Sequence, residues 1–313
     1  MARLLRRLLW GQILVGTLFG WLLARQTGTS SWLIAVTALL LPLLTPMLLS
    51  LTSSIKSRPP GATALWWRSL FGECGAWLRI GLLQLPWARA APAAKPATAD
   101  ALLPASRLPV VLVHGYLCNH RVWDAMAHHL RTAGHPVLAL DLEPLFTSID
   151  HYAPLIEQAV AELCRQTGAP QVALVGHSMG GLVIRAWMRR YGTQRVARII
   201  TLGTPHAGTK IDAQPKTTSG QQMLWRSAWL QELAASESAS TRRLMRLALT
   251  PQDNLVYPQR EQVLDGAQVT LFEGLGHLQL ALDSRVIAWV LQQLEDPASS
   301  IAGVVPHRST TRV

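Results

Sequence analysis

Val172-Ala-Leu-Val-Gly-His-Ser-Met-Gly-Gly181 decides how this chain folds. Val172–Val175 is a short apolar run of the kind that forms a strand buried on both faces. From Met179 the spacing becomes helical, with Leu182, Val183, Ala186 and Trp187 recurring while Arg185, Arg189 and Arg190 fall between them. Ser178 is left on the turn, with Gly176 and Gly180 two positions to either side, the Gly-x-Ser-x-Gly pattern of a nucleophile elbow. The glycines have a steric reason: so tight a turn lifts the serine out of the sheet, and side chains two positions away would collide with its neighbours. The helix that starts at Met179 offers unpaired N–H groups to a developing oxyanion. An ordinary Gly-rich turn has a similar composition; the strand before and the helix after favour the elbow.

The same alternation extends outward. Val110–Val113 reads as a buried strand ending in His114-Gly-Tyr-Leu-Cys-Asn, and 120–133 as a helix stopped by Gly134. Strands follow at 136–140, 196–202, 247–250 and 269–272, with helices at 152–167 and 284–294. Strands alternating with helices predict a mostly parallel α/β sheet covered on both faces, with working residues on loops at the carboxyl ends of the strands. Residues 209–240 mix polar and helical stretches. Met223, Leu224, Trp225 and Trp229 suggest a mobile apolar cover over 219–235, although Trp225 and Trp229, at i and i+4, also fit a helix packing face.

A serine nucleophile needs a base and an acid that orients the base, and after an elbow the expected chain order is Ser, acid, His. Downstream histidines are His206, His277 and His307. His277, in a Gly-rich loop after the last strand, is placed to reach the elbow; His206 follows a strand closely, and His307 lies in a basic tail. Among the acids, Asp253 follows the preceding strand. Asp265 suits an Asp-Gly turn, and Asp283 suits the cap of the final helix. Asp141 and Asp150 precede the serine.

Residues 108–295 resemble the bacterial lipase/esterase family of the α/β-hydrolase superfamily. The matching pieces are Val111-Leu-Val-His-Gly-Tyr116, Gly176-His-Ser-Met-Gly-Gly-Leu182, Thr201-Leu-Gly-Thr-Pro-His-Ala-Gly208 and the run from Thr250 to His277. The resemblance implies an α/β-hydrolase fold with Ser178, Asp253 and His277 as the triad. It also implies an oxyanion hole made by the backbone N–H groups of Tyr116 and Met179. His114, Gly115, Gly176, His177 and Gly180 would shape the elbow and its facing loop, and His206 would be structural. Cys118 is expected to line the pocket as a small apolar side chain. No metal and no cofactor is implied.

The first hundred residues differ in character. They hold ten of the 29 Lys/Arg and two of the 18 Asp/Glu, so the formal net charge of +11 divides into +8 there and +3 in the rest. Because this excess flanks apolar runs, it points to membrane lipids and topology and not to nucleic acid. Leu8–Ala24 and Trp32–Ile55 carry no charge, and each can cross a hydrocarbon core of about 30 Å. The arginines at 3, 6 and 7 and the Lys56/Arg58/Arg68 group then favour the same side. The expectation is a transmembrane hairpin over 1–58 in a bacterial inner membrane with a cytoplasmic catalytic domain. A single span after a cleaved first segment is the alternative.

Residues 59–107 read as a connector. Trp66, Trp67, Phe71, Trp77 and Trp87 among arginines suit a segment lying on the bilayer or a helix packed on the catalytic domain, and the Ala/Pro-rich stretch that follows is a linker. The catalytic domain then occupies 108–296, and 297–313 form a tail. Three widely spaced cysteines, Cys74, Cys118 and Cys164, outline neither a disulfide framework nor a zinc site. The expected activity is hydrolysis of acyl esters, with lipid-like substrates favoured by the anchor. Acyl transfer or thioester hydrolysis on the same residues, and a silent membrane-anchored interaction protein, stay open. Oligomeric state is not legible.

Overall fold

A computed structural model describes residues 1–28, 31–61, 63–89, 107–210 and 215–295. The sequence-predicted tail with His307 and nearly all of the Ala/Pro linker lie outside these residues. Six strands, β1 (Val110–Val113), β2 (Val137–Ala139), β3 (Val172–His177), β4 (Val196–Leu202), β5 (Met245–Leu249) and β6 (Gln268–Leu271), form one sheet. Its order is β2-β1-β3-β4-β5-β6, and every pairing is parallel. Parallel neighbours need crossover helices, which cover both faces.

The central strands show why. Val111, Val113, Leu174, Ile199 and Leu247 point into one core layer; Val110, Leu112, Ala173, Val175, Ile200 and Ala248 point into the other. The first layer is closed by Ala153–Thr167 and Met179–Tyr191, the second by Asp124–Thr132 and Ser284–Glu295. β3 runs two residues beyond its apolar stretch, because Gly176 and His177 keep register with Thr201 and Leu202. It thereby carries Ser178 to the carboxyl edge of the sheet.

The N-terminal quarter is helical. α1 (Ala2–Thr27) and α2 (Trp32–Lys56) form an antiparallel pair, reversed beyond Gly28 in the left-handed conformation (φ 66°). Close approach rests on Gly16 and Gly20, one turn apart: a Cβ at either would strike Thr37 of α2, at its carbonyl or its hydroxyl. Small residues at this spacing let helix backbones approach in apolar surroundings. Both helices are long and apolar enough to cross a membrane. Leu14, Leu18 and Phe19 of α1 and Leu39, Leu48 and Leu49 of α2 are exposed.

α3 (Thr63–Trp77) continues into a π-helical stretch (Leu78–Gln84) and a short 3₁₀ turn (Leu85–Trp87). Of the two arrangements open for the connector, packing on the sheet domain is seen for one face. Glu73 is buried against the loop after β6, and Ile80 and Leu85 complete the second core layer, while Trp66, Leu70 and Cys74 are buried in a separate cluster with Leu51 of α2. Burying side chains of this size contributes roughly 1.5–3 kcal/mol each. The Trp66 indole donates to the Ser54 carbonyl at 3.0 Å, joining α3 to α2. The opposite face keeps Trp67, Phe71 and Trp87 exposed, so an aromatic surface remains beside the helical pair.

Candidate active site

The carboxyl ends of β1, β3, β5 and β6 carry the loops of interest. Ser178 sits between β3 and the following helix with φ 55° and ψ −128°, a conformation that a non-glycine residue adopts only when its surroundings impose it. What imposes it is crowding. A Cβ at Gly176 would come within 2.6 Å of the Gly181 nitrogen, and one at Gly180 would overlap the Val113 carbonyl. A Cβ at Gly115 would lie 2.7 Å from the Ser178 Cβ. The loop after β1 therefore lies directly against the serine. Met179 opens the helix, so its N–H is among those without an intrahelical acceptor.

His277 follows β6 and is buried. Its Nδ1 donates to Asp253 Oδ2 at 2.9 Å, which leaves Nε2 as the basic nitrogen. The other oxygen of Asp253 accepts the N–H groups of Leu255 and Val256 at 2.9 and 2.7 Å. The backbone of His277 is held as well: its N–H donates to Asn254 Oδ1 at 3.1 Å, and its carbonyl accepts from His177 Nε2 at 3.0 Å. Burial pulls the imidazolium of His277 down, but the charge and hydrogen bond of Asp253, with Glu73 nearby, hold its pKa above the ordinary 6.5.

Three other buried histidines, His114, His177 and His206, are held neutral by burial. His114 is lowered to about 4 by burial. Its Nε2 accepts the Leu142 N–H at 3.0 Å, so its Nδ1–H donates to the Gly115 carbonyl at 2.8 Å. His177 is lowered to about 3 by burial and by His277. His206, lowered well below 6.5 by burial, meets Thr201 Oγ1 at 3.0 Å and is flanked by Arg185. Asp141 holds His120, Asp150 meets Arg189 and the Trp229 indole, and Asp283 accepts the Arg285 N–H beside the last helix.

Residues 109–262 match the family model described as the alpha/beta hydrolase fold. These residues have the α/β-hydrolase fold. A triacylglycerol lipase of Burkholderia plantarii is 32% identical over 167 residues, 50% of this chain and 43% of that protein. One of Pseudarthrobacter phenanthrenivorans is 35% identical over 116 residues, 34% of this chain and 36% of that protein. The chain thus spans less than half the length of the curated relatives it matches. The mature form of a Bacillus licheniformis lipase superposes with a TM-score of 0.53 at 17% identity, covering 61% of this chain and 93% of that one. At that identity the likeness is one of fold.

In the hydrolase domain Ser178, His277, Tyr116, Gly115, His177 and Cys118 line one cavity of about 610 Å³. Asp253 lies behind His277, outside the lining. The Cys118 thiol is pushed up to about 12 by burial, so it stays protonated. The far wall comes from outside the hydrolase domain: Trp77, Ile80 and Leu85 of the connector, and Leu49, Thr52, Ser53 and Lys56 of α2.

The cover expected over 219–235 is only partly found. Met223 lines the cavity, but Trp225 and Trp229 do not. The Trp229 indole donates to Asp150 at 2.8 Å with the Arg189 guanidinium over its ring, and Leu224 bridges Thr209. Trp229 is therefore held in a packing face, as its spacing from Trp225 allowed.

Glu73 escapes a reading from sequence. It is the only acid among the first 99 residues, and it sits on the buried stripe of α3. Its carboxyl group accepts the N–H of Leu278 at 2.9 Å and of Gln279 at 3.3 Å, the two residues after His277. Burial raises it from 4.5 to about 7 against the pull of His277 and of the two N–H groups. Between these values the folded chain binds more protons here than the unfolded chain, so stability falls as pH rises through the window. The full effect is roughly 3 kcal/mol. Glu73→Gln keeps an acceptor for both N–H groups and should flatten that fall. Denaturant midpoints of both proteins in mild detergent from pH 4.5 to 7.5 test this; parallel curves would refute it.

Proposed function

We propose that this chain is a membrane-anchored serine carboxylester hydrolase acting on acyl esters of lipid-like character. The observation that carries this reading is Ser178 on a strained elbow, sharing a cavity with a histidine whose Nδ1 is tied to a buried carboxylate. In this mechanism His277 Nε2 takes the Ser178 proton as Oγ attacks the ester carbonyl. The N–H groups of Tyr116 and Met179 stabilise the tetrahedral oxyanion. His277 returns the proton to the leaving alcohol, and the acyl group stays on Ser178. A water molecule, deprotonated by His277, then releases the carboxylic acid and restores the serine. Asp253 remains ionised and holds the imidazolium.

The lipid-like substrate is favoured by the apolar wall of the cavity and by the names of the two relatives, both triacylglycerol lipases. A water-soluble fluorophosphonate should label the wild-type protein and not Ser178→Ala, and turnover of p-nitrophenyl esters by the wild-type protein should disappear as Ser178 is labelled. Absence of labelling would sink the reading.

The anchor is supported by two long apolar helices whose outer surfaces would otherwise expose large apolar area to water. The amine of Met1 contacts Glu143 and Ser53 of α2 contacts Asn254, so both ends of the hairpin meet the hydrolase domain. With arginines at one end and Lys56 and Arg58 at the other, that side is cytoplasmic by the positive-inside rule. Reporters fused near residue 100 should be active when they need the cytoplasm and silent when they need export. The reverse pattern would place the domain across the membrane.

A further inference from the structure

Leu49, Thr52, Ser53 and Lys56 follow one another at i, i+3, i+4 and i+7, one face of α2, and all four line the cavity that holds Ser178 and His277. The contact is specific. Asn254 donates through Nδ2 to Ser53 Oγ at 3.1 Å while its Oδ1 accepts the His277 N–H at 3.1 Å. Gln259 Nε2 bridges the Ser57 carbonyl at 2.9 Å and the Asp253 carbonyl at 2.8 Å. The end of α2 is thus fastened to the loop that carries the acid and, through Asn254, to the backbone of the histidine.

The length of α2 fixes what this face would meet in a bilayer. Its 25 residues rise about 37 Å, against a hydrocarbon core of about 30 Å. A span that begins at Trp32 leaves the hydrocarbon near residue 51. Leu49 then lies at hydrocarbon level, and Thr52, Ser53 and Lys56 at the level of the headgroups. From Leu49 to Lys56 the wall climbs about 10 Å from acyl chains toward polar groups. Trp77, Ile80 and Leu85 add apolar surface to the same cavity, and among the described residues no carboxylate lines it.

We propose that the substrate is a long-chain acyl ester resident in the bilayer, and that its chain passes from the leaflet to Ser178 along this face of α2. The helix is then part of the substrate-binding wall as well as a tether. This rests on the ester-hydrolase reading of Ser178 and on insertion of the hairpin, and it goes beyond both by fixing where the substrate comes from.

The test uses the full-length protein in phosphatidylcholine vesicles. A phosphatidylcholine with a diazirine at the end of one acyl chain should crosslink to the lining residues Leu49, Thr52, Ser53, Trp77, Ile80 and Leu85, and prior reaction of Ser178 with a hexadecyl phosphonate should abolish those crosslinks. Crosslinks confined to outward residues such as Leu48 and Ile55, and unaffected by the phosphonate, would overturn the proposal. Rates give a second reading. In Leu49→Trp and Thr52→Trp, turnover of a vesicle-borne long-chain ester, divided by the rate of Ser178 labelling with a small soluble fluorophosphonate, should fall tenfold or more. Leu40→Trp, elsewhere on α2, should keep the wild-type ratio. A ratio that does not change at 49 and 52 counts against the route. If wild-type Ser178 takes no phosphonate, the hydrolase reading itself fails. The photolipid needs no turnover, and in that case competition by excess unlabelled lipid decides whether the wall binds acyl chains.

Discussion

Ser178→Ala should lower ester turnover by at least roughly 10⁴-fold, His277→Ala by a similar factor, and the double variant by no more than either, because nucleophile and base act as a unit. Asp253→Asn should cost less, since the amide still fills the space between His277 and the N–H groups of Leu255 and Val256. The pH profile sharpens the assignment. His277 works as a base only when neutral, and its pKa is held above 6.5. The acidic limb of kcat/KM should therefore lie above that value, with activity rising as the imidazolium loses its proton. Loss of the Asp253 charge should move the limb to lower pH. Activity near wild type in Asp253→Ala, with another acidic residue essential, would reassign the acid.

Glu237→Ala should be the most destabilising substitution among those considered. Glu237 grips Arg185 with both oxygens, Nε to Oε1 at 2.5 Å and Nη2 to Oε2 at 3.1 Å, and it also accepts from Arg242 at 3.2 Å. The side chains of Arg185 and Glu237 are 0% and 3% exposed. Removing the acid strands a guanidinium in the core beside neutral groups, the His206 carbonyl at 3.2 Å and its Nδ1 at 3.4 Å. Such a loss costs about 3–5 kcal/mol. For a domain of this size, that lowers Tm by roughly 10 °C. Removing both charges, as in Arg185→Met with Glu237→Leu, should recover most of the loss, because the desolvation penalty goes with the pair. Thermal denaturation of the three variants decides it; a double variant no better than the single would show that the ion pair contributes net stability.

Some of this is plain from the amino acids. Val110–Val113 and Val196–Leu202 stand as strands because their apolar runs are buried on both faces and bounded by turn residues. The elbow is legible because two glycines and a serine meet a local steric demand, and local demands leave local marks. His277 and Asp253 stand out through the order in which they follow that serine. Glu73, Ser53 and the inner face of α2 leave no such mark. A uniformly apolar helix does not say which of its sides meets protein, and a lone glutamate in a tryptophan-rich stretch does not name partners near the other end of the chain. Trp225 and Trp229 fit a cover and a packing face equally well by spacing; the bond from Trp229 to Asp150 is what separates the two.

The bond between Glu73 and the Leu278 N–H joins residues 205 positions apart. At about 5–20 residues per second, a ribosome needs roughly 10–40 s to make the stretch between them. Through that interval α3 has been made, but the loop it must grasp has not. The wall of the cavity that α2 and the connector supply is translated first, and His277 after it. Over this interval a nascent chain therefore carries α3 with its buried carboxyl group still waiting for the loop it will grip.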